Sequence, residues 1–188
     1  MGWALRRFSL TKAVPLTISR GTTASVVRLE LTLQHNGLVG RGETGGFETG
    51  HRAFVLEAVE QELLALLPQL EALDPECLQR FEPLLAPLSP PARCAVDLAL
   101  WDWHGQRLGH PLWRLWGLDG GAGVATSVTL GLAAVPQVLD RLERWWAQLP
   151  ATRVKLKLGS PDGLDHDRSL LETVAQAITE RSQRQDVA

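Results

Sequence analysis

Tyrosine is absent from this chain of 188 residues, and cysteine occurs only twice. Cys77 and Cys94 sit in no CxxC pair, so the sequence carries no disulfide framework. An excess of one charge is missing too. The formal net charge is −2 and the pI about 6.2, which removes the basic footprint of a nucleic-acid partner. No run approaches the ~18 apolar residues that a membrane span needs. The segment Met1-Gly2-Trp3-Ala4-Leu5-Arg6-Arg7 lacks the apolar core of a signal peptide. These absences lead to the expectation of a reduced, cytoplasmic protein with no membrane partner. What is present is ordinary for a soluble globular chain: 45% hydrophobic and 21% charged residues. That balance excludes a disordered chain, a collagen and a coiled coil. The length exceeds one average domain and falls short of two.

Along the chain, residues 3–12 read as a strand, followed by a polar loop from Pro15 to Thr23. Ala24 to Leu33 reads as a second strand. Val27, Leu29, Leu31 and Leu33 fall on one face; Arg28, Glu30 and Thr32 fall on the other. Asn36-Gly37 supplies a hairpin turn, and Leu38 to Glu43 returns. A loop rich in Gly and Thr, Thr44 to Gly50, ends this meander. A helix follows with a stripe of Val55, Val59, Leu63, Leu66 and Leu67, stopped by Pro68. Asp74-Pro75-Glu76 and Ser89-Pro90 carry helix-start signals. The second opens a helix over residues 90–107 that is apolar nearly all round and reads as a buried central helix. Gly109 ends it, a short helix spans 111–116, and a loop rich in Gly runs from 117 to 123.

The grammar then changes. Ser127–Leu130 is a strand, 136–148 a helix, Arg153–Leu158 a strand and 165–180 a helix, the pitch of parallel βα units. Asp186-Val187-Ala188 reads as the start of a third strand. Two parallel strands with two helices close no barrel, so the chain reads as truncated inside an α/β domain. The alternative is a compact protein in which these strands extend the N-terminal sheet.

The sharpest chemical feature is Lys155-Leu156-Lys157. Residues two apart in a strand share a face, so both lysines point one way while Val154, Leu156 and Leu158 point the other. On a covered face two ammonium groups repel and lose hydration. Both effects favour the neutral amine that a general base needs. The blander reading is an edge strand with a solvated face. Arg20, in the polar loop, could clamp a carboxylate bidentately, although a lone loop arginine is more often simply solvated. Thr129 ends the first parallel strand, where α/β folds place ligand contacts; threonine is also just a good strand former. Asp97 and Asp102 are expected to cap the helix or pair with Arg93 or Arg107. Gly40, Gly42 and Gly45 satisfy GxGxxG, but no helix opens there, so the glycines are read as serving a mobile loop and close backbone approach. The five histidines show no metal-ligand spacing.

Five stretches together resemble the enolase superfamily, and within it the muconate-lactonizing subgroup: Pro15-Leu16-Thr17 with Arg20; Gly40-Arg41-Gly42-Glu43; Ala95 to Asp102 followed by Gly105; Gly109-His110-Pro111-Leu112; and Lys155 to Gly159. The resemblance implies an α+β capping domain, residues 1–123, followed by the first two βα units of a truncated (β/α) TIM-like barrel, residues 124–188. It implies Mg²⁺-assisted abstraction of a proton α to a carboxylate, most like a dipeptide (L-Ala-D/L-Glu) epimerase. Lys157 matches the lysine that takes or delivers the proton, and Lys155 its partner. Arg20 and Thr129 match substrate contacts. The substrate class is a small dipeptide or other carboxylate, and a full-length form could assemble as a homo-oligomer. The family's acidic metal ligands and second lysine come from later strands, so no metal ligand is assigned here and the chain alone is expected to be inactive. The alternatives are a muconate or chloromuconate cycloisomerase, an o-succinylbenzoate synthase or, in another class, a non-catalytic remnant.

Overall fold

The computed structural model describes residues 1–188 apart from Arg20, Thr49, Ala122, Pro150, Ala151 and residues 186–188. The third strand expected at Asp186-Val187-Ala188 therefore lies outside the described residues. Two compact units form. One comprises Met1–Leu10 and Val26–Ala122, the other Thr11–Ser25 and Gly123–Ala188.

The first unit is built on an antiparallel sheet ordered β1 (Gly2–Ile18), β2 (Gly21–His35), β3 (Leu38–Thr44). Asn36 and Gly37 have positive φ, 49° and 76°, the geometry of a two-residue hairpin turn, and His35 pairs with Leu38. Leu29, Leu31 and Leu33 are fully buried, as their alternation predicts. Val27 is 46% exposed and does not join them. The loop expected at Pro15–Thr23 is instead strand on both sides of Arg20. Thr17, Ile18, Thr22 and Thr23 are β-branched, and Pro15 lies in the edge strand, where no ladder donor is required. Past β3, the Gly/Thr-rich segment forms a small hairpin, β4 (Phe47–Glu48) with β5 (Ala53–Phe54).

Helix α1 (Leu56–Glu71) runs through Pro68 rather than stopping there. Its last turn is anchored by Leu70, which is fully buried, and packing outweighs the missing backbone donor. Asp74-Pro75-Glu76 makes a turn in which Asp74 Oδ1 accepts the Glu76 N–H at 2.9 Å. A 3₁₀ turn (Leu78–Arg80) and the short α2 (Glu82–Leu85) follow, in place of the helix expected there. Helix α3 (Pro90–Leu108) begins and ends as predicted, with Gly109 left-handed at φ 65°. It is not apolar-covered all round: Cys94 and Leu98 are exposed. Its buried stripe is Ala92, Ala95, Val96, Ala99, Leu100 and Trp103. This stripe lies on β3 at very short range. A β-carbon on Gly40 would fall 2.1 Å from the Ala99 carbonyl oxygen, and one on Gly42 1.9 Å from that of Ala95. The GxG pattern thus serves close approach of helix to sheet. Asp102 accepts the Arg41 N–H at 2.8 Å and Asp97 is exposed, while Arg93 and Arg107 pair with Glu82 and Glu76. The expected Asp97 or Asp102 pairs with those arginines do not form. The short α4 (Leu112–Leu115) closes this unit.

In the second unit, β6 (Ser127–Leu130), α5 (Val135–Gln148), β7 (Arg153–Leu156) and α6 (Leu164–Gln185) alternate. β6 and β7 are parallel and form a sheet of their own, so they do not extend the N-terminal sheet. Leu130, Val154 and Leu156 pack with Val138 and Leu142 of α5 and Leu170 and Val174 of α6.

Candidate functional site

All of the site that the structure describes belongs to the second unit. The register of the parallel pair sets Thr129 beside Lys155 and Leu130 beside Leu156. Lys157 continues the ladder, its N–H donating to the Leu130 carbonyl at 3.0 Å. Because side chains alternate, Thr129, Lys155 and Lys157 share one face, and the leucines and valines share the face packed on the helices. Among the described residues nothing buries the lysine face. Lys155 is exposed, and Lys157 and Thr129 are half-buried. Among the described residues, the covered lysine face expected from the sequence is not formed.

The tip of the first hairpin lies at the C-terminal ends of these strands. The Leu132 N–H donates to the Thr17 carbonyl at 2.9 Å. A β-carbon on Gly131 would meet that same oxygen at 2.9 Å, so glycine there is what lets the hairpin seat. Thr17 and Thr22 hydroxyls bond across the hairpin at 2.9 Å, and Ser19 Cβ lies 3.8 Å from the β-carbon position of Gly159. Arg20 follows Ser19 directly but lies outside the described residues. A cavity of about 760 Å³ opens beside β6, lined by Val14, Pro15, Leu16, Ser127, Thr129 and Trp145 among others. Lys12 and Thr129 line it; Lys155 and Lys157 do not.

Sequence reasoning missed Asp167. Its carboxylate is nearly buried and accepts the backbone N–H groups of Gly159 (2.7 Å) and Ser160 (3.2 Å), just after the lysine strand. The available signal was an acid in the first turn of the helix after a strand–Gly-Ser loop. Among the described residues no three His, Cys, Asp or Glu side chains converge as metal ligands. The face can still attract a carboxylate with two ammonium groups, and a lysine in its neutral form can accept a proton.

Among curated relatives, the hydrophobic dipeptide epimerase of Roseobacter litoralis is 35% identical over 170 residues, covering 89% of this chain and 48% of the relative. A dipeptide epimerase from Methylococcus capsulatus, solved with Mg and the dipeptide L-Arg-D-Lys, superposes with a TM-score of 0.70 at 28% identity. That match covers 93% of this chain and 51% of the other. The L-Ala-D/L-Glu epimerase of Bacillus subtilis, in a substrate-liganded complex, gives a TM-score of 0.76 at 19% identity, over 94% and 49%. The chain thus spans about half the length of the relatives it matches. These likenesses show the fold to be an α+β capping domain followed by the opening βα units of a (β/α) barrel. Residues 4–117 match the N-terminal domain of the mandelate racemase/muconate lactonizing enzymes, and the chain belongs to that family.

Proposed function

We propose that this chain supplies the cap (residues 1–123) and the first two βα units (124–188) of an isomerase that removes the proton α to a carboxylate, a dipeptide epimerase of the L-Ala-D/L-Glu type. The observation that carries the reading is the shared face of Thr129, Lys155 and Lys157, left open at the strand ends where the hairpin tip is seated. On this reading Lys157 serves one face of the α-carbon, taking the α-proton onto Nζ as the neutral amine or delivering one as the ammonium; inversion is completed by a second acid/base group on the opposite face, which the resemblance puts in the later barrel strands of the longer enzyme. Lys155, two residues away on the same face, holds the substrate carboxylate. Thr129 donates from its hydroxyl to the bound dipeptide, and Arg20, by the sequence resemblance alone, holds the distal carboxylate. The substrate class comes from the relatives, two of which carry dipeptides in their names. The free, exposed Cys77 and Cys94 fit a reducing compartment such as the cytoplasm.

The test is the variant Lys157→Ala in an enzyme carrying this chain as its N-terminal half. Exchange of the dipeptide α-proton with D₂O should fall by about 10³-fold, with unchanged circular dichroism. Exchange at the wild-type rate would overturn the assignment.

A further inference from the structure

We propose that Asp167 is a positioning residue for Lys157, fixing the chain on the side of the lysine that the strand ladder does not reach. The inference rests on the reading of Lys157 as the proton-transfer group. Lys157 is held from one direction by its own N–H, bonded to the Leu130 carbonyl. Beyond it the ladder ends, and Gly159 turns the chain with φ 94°, a conformation that glycine adopts without strain. A turn of that kind is free to swing unless something ties it. The tie is the Asp167 carboxylate, which accepts the amides of the second and third residues after Lys157. The loop is closed further by the Gly163 N–H on the Ser160 carbonyl, at 3.1 Å. The Asp167 N–H then bonds the Gly163 carbonyl at 3.2 Å, so loop and helix start are locked to each other.

The choice of residue is informative. A carboxylate that is only 9% exposed loses hydration, and an apolar side chain would cover the same space at less cost. Charge-assisted bonds to two amides offset that loss and give a stiffer hold than neutral partners would. Lys155 does not depend on this tie. It sits inside the ladder, paired with Thr129. The two lysines are therefore held by different means, and Asp167 serves only one.

That asymmetry can be read on this chain without any activity. The sequence contains just three lysines: Lys12, Lys155 and Lys157. Reductive methylation with ¹³C-formaldehyde should give three lysine signals plus the N-terminal amine, assigned with Lys→Arg variants. In Asp167→Ala the Lys157 signal should move towards the value of a free lysine while Lys155 and Lys12 stay in place. Amide exchange at Gly159 and Ser160 should quicken by about tenfold or more. Asp167→Asn keeps one acceptor and should give a smaller shift of the same signal; it decides the matter if the alanine variant fails to fold. A Lys157 signal that stays at the wild-type position in a folded variant would overturn the proposal, even if Tm falls, because stability alone would then explain Asp167. Failure of the proton-transfer reading would appear instead as wild-type exchange in Lys157→Ala, leaving these spectra unchanged.

Discussion

The two units of this chain bury apolar surface in different ways. Among the described residues, the first has a core of sixteen buried apolar side chains, including Trp103 and Phe81. The second has five. In the first, one sheet face is closed by helices and the other carries charges paired at its surface, such as Arg28 with Glu43. In the second, helices close one face of the parallel pair and two lysines occupy the other. Parallel strands are ordinarily apolar on both faces. The second unit departs from that rule at Lys155 and Lys157, and the departure coincides with the strand ends where the first hairpin is seated. The larger apolar core lies in the first unit, and the shared face of Lys155 and Lys157 lies in the second.

The strongest way to break the comparison is to attack the tightest contact of the first unit. In Gly42→Val, the new β-carbon falls on the Ala95 carbonyl oxygen, which is helix backbone and cannot turn aside. The expected loss is about 4 kcal/mol, above the ~1–3 kcal/mol of ordinary overpacking. Denaturant unfolding followed by Trp fluorescence measures it; a loss below about 1 kcal/mol would show that the helix can lift off the sheet cheaply. Leu170→Ala is the counterpart in the second unit. Leu170 is fully buried in a core of few members, and its truncation should cost about 3 kcal/mol. Hydrogen exchange should quicken in α5, β7 and α6 while Leu29–Leu33 keep their protection. Equal loosening of both regions would erase the distinction between them.

Strict alternation made Leu29, Leu31 and Leu33 legible as a core face, and the same rule put Lys155 and Lys157 together. Asn36-Gly37 and Gly109 were legible because a positive φ favours those residues so strongly. The buried face of helix α3 is not legible from hydropathy, because its packing depends on size. Ala95 and Ala99 face Gly40 and Gly42, while the more apolar Leu98 is 42% exposed. Pro68 signals a stop by propensity, which says nothing of the buried Leu70 beyond it. The strand character of Pro15–Thr23 was hidden by its polar residues, which an edge hairpin tolerates. Asp167 was out of reach for a different reason: its partners, Gly159 and Ser160, are set by how a turn closes in space. Thr129 was legible as a strand end, but its pairing with Lys155 follows only from register.

The smallest expected effect concerns the surface of the first unit. Arg7 forms a two-pronged contact with Glu60, its Nε donating to Oε1 at 2.7 Å and Nη2 to Oε2. That hydrogen bonding holds the Glu60 carboxyl below the usual carboxylate range, against a smaller opposing effect of burial. The Arg7 guanidinium is correspondingly raised. The folded state therefore releases the Glu60 proton at a lower pH than the unfolded chain does. The contribution is complete above the unfolded-state value and is lost as pH falls through the folded-state value. Salt screens such an exposed pair, so the effect should be slight and should shrink further at high ionic strength. Comparing wild type with Glu60→Gln, the stability gap should be present at pH 7 and close as the solution is acidified below pH ~4. A gap that persists unchanged into acid would mean that Glu60 contributes through packing on β1 rather than through charge.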